Sequence, residues 1–174
     1  MRKLLMGVAL AAFVTACQPP AQRPEAPPEA PPTVAACNAI TPDAARQVTI
    51  EDELAVAAAA SDLRGGRIAP GLYDLTRAVR IGGATGWSGT RAVALDVAEN
   101  PAGGVTFNWA GRDSNGATDT WTANFAEAPT PRLSYTCGRI GDVDAEFTAA
   151  NDTLQLRLPD GANGRLHLDF QRRP

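Results

Sequence analysis

From Gly71 to the C-terminus, apolar and polar positions alternate. Eight stretches carry the alternation: Leu72 to Ile81, Thr90 to Ala98, Val105 to Ala110, Thr118 to Phe125, Arg132 to Cys137, Val143 to Thr148, Thr153 to Leu158 and Arg165 to Gln171. A period of two belongs to strands with one buried and one solvated face. The apolar series runs through Tyr73, Leu75, Val79 and Ile81, then Trp109, Trp121, Tyr135 and Cys137, and ends on Leu166, Leu168 and Phe170. Its polar counterpart includes Asp74, Asp96, Asn108, Thr122, Arg157, His167 and Asp169. Turn residues separate most of the stretches, as in Asp113-Ser114-Asn115-Gly116 and Pro159-Asp160-Gly161. Short links between successive strands imply antiparallel neighbours. The predicted fold is therefore all-β, an antiparallel up-and-down barrel of about eight strands, because closure removes the exposed edges. A folded-over sandwich is the other solution.

One stretch reads as helical. Thr49 stands as an N-cap before Ile50, with Glu51, Asp52 and Glu53 near the positive end of the dipole. An Ala-rich run from Leu54 to Ala60 follows and stops before Gly65-Gly66. This predicts one N-terminal helix over about 50–63, packed against the barrel.

Composition removes several function classes. The chain has 174 residues, 44% apolar and 20% charged, enough for one core, and a formal charge of −3. Without Arg2 and Lys3 the remainder is 14 basic against 19 acidic residues, or −5, which argues against nucleic acid as a partner. His167 is the single histidine, and no lysine follows Lys3. Polyhistidine metal sites, Schiff-base chemistry and a Walker lysine are thereby excluded.

Met1-Arg2-Lys3, the apolar run Leu4 to Val14 and Thr15-Ala16-Cys17 have the layout of an export signal. The apolar run is too short to span a bilayer. Val14-Thr15-Ala16-Cys17 resembles the bacterial lipoprotein lipobox. The resemblance implies that 1–16 are a signal peptide, that Cys17 becomes a lipidated N-terminus carrying diacylglycerol and an acyl chain such as palmitate, and that the protein is membrane-anchored. Gln18 in place of Asp after the cysteine implies the outer membrane, facing the periplasm. Residues 17–36 follow as a tether, with seven Pro among the nineteen residues from Gln18 to Ala36. Extended as polyproline II, the tether reaches about 60 Å. The remainder, 37–174, is the single predicted domain. With Cys17 taken by lipid, Cys37 and Cys137 are an even pair in an oxidising compartment, and a disulfide between them is expected.

The strand count and order resemble the lipocalin-like group of small eight-stranded barrels and small periplasmic inhibitor barrels, with Gly71-Leu72-Tyr73 where lipocalins usually carry Gly-x-Trp. Gly65 to Thr76 also looks like an entry motif of uncharacterised exported bacterial proteins, and no activity comes with it.

Candidate chemistry is sparse. Arg77 is the one charge in mid-strand on the apolar side, placed either at a wet barrel end or over an aromatic ring, or as an anchor for an anionic ligand head. Tyr73, Trp109, Trp121 and Tyr135 line the same interior, as core or as amphipathic ligand contacts. Trp87, in the Gly-rich loop 82–89, either caps the mouth or reaches a partner. His167 is expected at the solvent. Asp142, Asp144 and Glu146 form a carboxylate run with no completing partner, and Asp113 to Asp119 has calcium-like oxygens but reads more simply as a hairpin turn. The expectation is a non-catalytic envelope module, without cofactor, metal or catalytic residues, whose barrel binds a small apolar or amphipathic ligand. The alternative is a protein-interaction module such as a periplasmic hydrolase inhibitor.

Overall fold

In the computed structural model of the chain, residues 36–53 and 63–174 are described. They form ten strands: β1 (Val48–Glu53), β2 (Gly71–Ile81), β3 (Thr90–Glu99), β4 (Val105–Asp113), β5 (Thr118–Ala126), β6 (Arg132–Cys137), β7 (Asp142–Asp144), β8 (Glu146–Ala150), β9 (Thr153–Asp160) and β10 (Gly164–Arg172). All ten belong to one sheet, in the order β7-β6-β5-β4-β3-β1-β2-β10-β9-β8, with β2 also pairing β3. The all-β class and the hairpin order match the alternation. The signal segment, Cys17 and the tether up to residue 35 lie outside the described residues.

Three features depart from the predicted barrel. First, the start of the predicted helix is a strand. Val48, Thr49 and Ile50 are β-branched residues that suit a pleated surface, and they enter a gap where β2 and β3 separate. β2 pairs β3 only over Gly71 to Asp74; beyond that, β1 runs parallel to β2 over Ile50 to Glu53 and antiparallel to β3 at Val48 and Thr49. Residues 54–62 of the predicted helix lie outside the described residues, and no helix is shown among those described. Second, the predicted sixth strand is two, β7 and β8, broken at Ala145, whose N–H donates to the Pro131 carbonyl. Third, the ladder is not closed. Its two edge strands, β7 and β8, are consecutive in the chain; β7 pairs β6 and β8 pairs β9. The sheet therefore curls until one segment, 142–150, spans the seam.

Two β-bulges reverse the side-chain phase, since one extra residue moves all that follows to the other face. In β2 the register steps from Leu75 opposite Phe170 to Arg77 opposite Asp169, leaving Thr76 unpaired. Ala78 then faces the core opposite Leu168, while Val79 and Ile81 turn outward beside His167 and Arg165 and form a separate buried pair. In β6 the register steps from Tyr135 opposite Ala123 to Cys137 opposite Thr122. Cys137 thereby leaves the apolar series and reaches Cys37 on the outer surface, in a disulfide spanning 100 residues.

The concave side is densely filled. Phe107 and Phe125 stack at 5.1 Å, Phe147 meets Phe125 edge-on, and Leu95, Leu154, Leu156 and Leu168 are fully buried. Removing this apolar area from water, at about 25 cal/mol per Å², is the main force holding the curled sheet. On the outer face Asp74 is buried as well, clamped by Arg173 through two hydrogen bonds of 2.8 and 2.6 Å and by Arg46 at 3.2 Å.

Candidate functional site

The end of the sheet where β2, β4, β6 and β9 finish holds a cavity of about 370 Å³. Its walls include Trp87, Trp109, Trp121 and Tyr135, with Leu158, Leu166 and Leu168 adding to the apolar lining and Arg139 and Asp160 as charged groups. Register explains why the tryptophans meet. Trp109 of β4 is the cross-strand partner of Trp121 of β5, and the two indoles stack at 5.0 Å with 12° between their planes. Tyr135 of β6 meets Trp121 edge-on at 5.3 Å. Trp87 folds in from the loop after β2 and lies 5.8 Å from Trp109, with the Arg91 guanidinium 4.5 Å over its ring. That loop is held by Asp160, which accepts from the Gly86 N–H through both carboxylate oxygens.

One carboxylate organises the polar edge. Asp119 accepts from the Trp109 indole N–H through Oδ2 at 3.1 Å, pairs with Arg91 at 3.4 Å through Oδ1, and meets Arg139 at 3.5 Å through Oδ2. Arg139, in the turn between β6 and β7, stands 5.6 Å over the Trp121 ring and 5.7 Å over Tyr135. The next residue, Ile140, also borders the cavity and is wholly exposed. The Trp121 indole nitrogen is buried with no hydrogen-bond partner among the described residues.

Four of the six residues singled out from sequence therefore meet at one cavity: Trp87, Trp109, Trp121 and Tyr135. Tyr73 does not join them. It is buried towards the other end of the sheet, where its hydroxyl donates to the Ala69 carbonyl at 2.7 Å; burial pushes that hydroxyl's pKa up, with the Asp152 charge adding to the shift and Arg172 opposing it. Arg77 is also placed elsewhere. The bulge at Thr76 turns it outward, where Glu51 accepts from it at 2.9 and 3.1 Å, so it anchors nothing inside. Arg77→Gln is expected to cost less than about 1 kcal/mol, as exposed ion pairs do, in a urea titration. A loss of several kcal/mol would place Arg77 in the core after all. Arg139 is the cation that sequence reasoning missed: only the folding of the β6–β7 turn over the mouth brings it to the aromatic wall.

The remaining candidates are occupied structurally. Asp142 and Asp144 pair with Arg132, while Glu146 pairs with Arg157 and Arg165. Asp113 closes its own turn by accepting from the Asn115 and Ala117 N–H groups. His167 is on the polar face as expected but buried rather than solvated, because the bulge sets outward Val79 beside it. Its Nε2 lies 3.0 Å from Asp169. Burial pushes the Asp169 carboxyl up, but the His167 hydrogen bond and charge, the Gln155 amide and Arg77 together outweigh it and hold the pKa below the ordinary 3.8. A depressed carboxylate stabilises the fold above its unfolded pKa and loses that contribution as pH falls through the folded value. Stability is thus expected to drop below about pH 4, and Asp169→Asn to flatten that acid limb in urea midpoints measured against pH. An unchanged acid limb would assign the loss to other carboxylates.

No protein-family model and no curated protein matches the sequence. Among solved structures the chain is similar to a de novo designed fluorescence-activating β-barrel, at 12% identity, covering 60% of this chain and 93% of that one, with a TM-score of 0.39.

Proposed function

We propose that this is a non-catalytic binding module of the bacterial cell envelope, anchored through lipid on Cys17, that takes one small apolar or amphipathic molecule at the mouth of its curled sheet. The observation that carries the reading is the aromatic cavity. Its volume falls within the range of small-molecule sites, which are apolar clefts with a few placed polar groups. An enzymatic role has little support: His167 is not among the residues that wall the cavity, so the cavity gains no nucleophile and base pair from it. A protein-interaction role leaned on Trp87 reaching outward. Trp87 is buried against Trp109, while the loops and the exposed Ile140 still favour that role.

Native mass spectrometry of the whole protein, released gently from bacterial membranes, tests the reading. A stoichiometric added mass beyond the lipid is expected, with a saturable change in tryptophan emission when the extracted compound is returned. A bare mass, together with no emission change across a panel of small aromatic and amphipathic compounds, would overturn it. The anchoring is tested separately by palmitate labelling. Cys17→Ser is expected to abolish the label, and retained label would refute lipidation at that residue.

A further inference from the structure

We infer, taking the binding reading above as premise, that the ligand is a compact carboxylate held by the Arg139 guanidinium at the aromatic mouth of the cavity.

At about 370 Å³ the cavity is near the lower end of small-molecule sites. Beneath the Trp109–Trp121 pair the interior is closed by stacked Phe107 and Phe125 and by fully buried Leu154 and Leu156. A long acyl chain has no channel to enter. A compact molecule at the mouth does fit.

The polar groups of the lining favour an anion. The cavity has two charged lining groups, Arg139 and Asp160. Asp160 already accepts from the Gly86 N–H through both oxygens. The nearby Asp119 is shared among the Trp109 indole and two arginines. Asp119 does not line the cavity, and its Oδ1 has no hydrogen bond, only the ion pair with Arg91; among the described lining residues the buried polar group left without a partner is a donor. The Trp121 Nε1–H is buried without a partner among the described residues, and a buried donor left unpaired is costly. Besides standing over the Trp121 and Tyr135 rings, Arg139 has among the described residues one ion pair, the 3.5 Å contact to an Asp119 oxygen that Trp109 also uses. A guanidinium so placed can receive a carboxylate in bidentate fashion. A cationic ligand is disfavoured, because Arg139 and Arg91 already stand over the ring faces that would attract it.

The test is isothermal titration calorimetry on the whole protein with three probes: 2-naphthoate, its neutral counterpart 2-naphthamide, and dodecanoate. Naphthoate is expected to bind at least tenfold more tightly than naphthamide and dodecanoate. Arg139→Gln is expected to erase the difference between the two naphthyl probes by weakening naphthoate at least tenfold, and Arg139→Lys, which keeps the charge, to retain part of the preference. Equal binding of naphthoate and naphthamide would overturn the anionic assignment and leave the binding reading standing. Dodecanoate matching naphthoate would overturn the assignment to a compact ligand. No heat with any probe, together with a bare native mass, would remove the binding reading itself.

Discussion

Reducing the Cys37–Cys137 bridge is expected to lower the melting temperature by roughly 10 °C or more, since a lost native disulfide costs a small exported domain about 2–5 kcal/mol and each kcal/mol is worth a few degrees. The bond spans 100 residues, a separation for which the chain-entropy model gives up to about 4.7 kcal/mol. It also fastens a strap. Next to Cys37, the Asn38 amide donates to the carbonyls of Trp109 and Trp121, each at 3.1 Å, across the backs of the strands whose indoles wall the cavity. On the other side of the bridge, Gly138 sits at φ +77° against the Thr120 carbonyl and the Cys37 sulfur, leaving no room for a side chain. The turn that bears Arg139 begins there. Reduction should therefore weaken carboxylate binding as well as stability. Differential scanning with and without reductant measures the first effect, and a Cys37→Ala, Cys137→Ala double variant should melt low and ignore reductant. An unmoved transition would mean that the strap's hydrogen bonds hold the N-terminal segment without the bond.

The strands were legible because an antiparallel sheet with one filled face imposes a period of two, and because Gly, Asn, Asp and Pro mark its turns. Seven of the eight predicted stretches correspond to single strands with ends displaced by at most three residues, as where β4 continues to Asp113. What escaped the pattern has definite causes. Thr49 followed by Glu51, Asp52 and Glu53 satisfies the chemistry of a helix start, and nothing local reveals that β2 and β3 part and admit these residues as a strand. The bulge at Thr76 was hidden because Leu75, Arg77, Val79 and Ile81 keep the period while the backbone changes phase; the charge on Arg77 was its only trace. Thr136 did the same for Cys137. At the site, the aromatic residues were found because large side chains on the inner face of neighbouring strands must meet. Arg139 was not, because a turn residue acquires its neighbours from the path of the turn rather than from any periodicity.

Trp109→Ala is the substitution expected to cost most within the sheet, about 3–5 kcal/mol in a denaturant titration, as for other buried tryptophans. Trp109 is 1% exposed and contacts three rings, stacking on Trp121, tilted against Trp87 and edge-on to Phe170 at 5.9 Å. Alanine removes all three contacts and opens the cavity downward into the core. Trp109→Phe separates the packing from the polar role, keeping most of the ring while deleting the indole N–H that Asp119 accepts. Its stability loss is expected to be smaller than that of the alanine variant. Its effect on binding should be selective: with the indole donor gone, Asp119 is free to draw Arg139 closer, so 2-naphthoate weakens while 2-naphthamide holds. Equal destabilisation by Phe and Ala would show that the hydrogen bond to Asp119, not the aromatic stack, carries the contribution of Trp109. The cavity would then be walled by a side chain held in place chiefly from its polar edge.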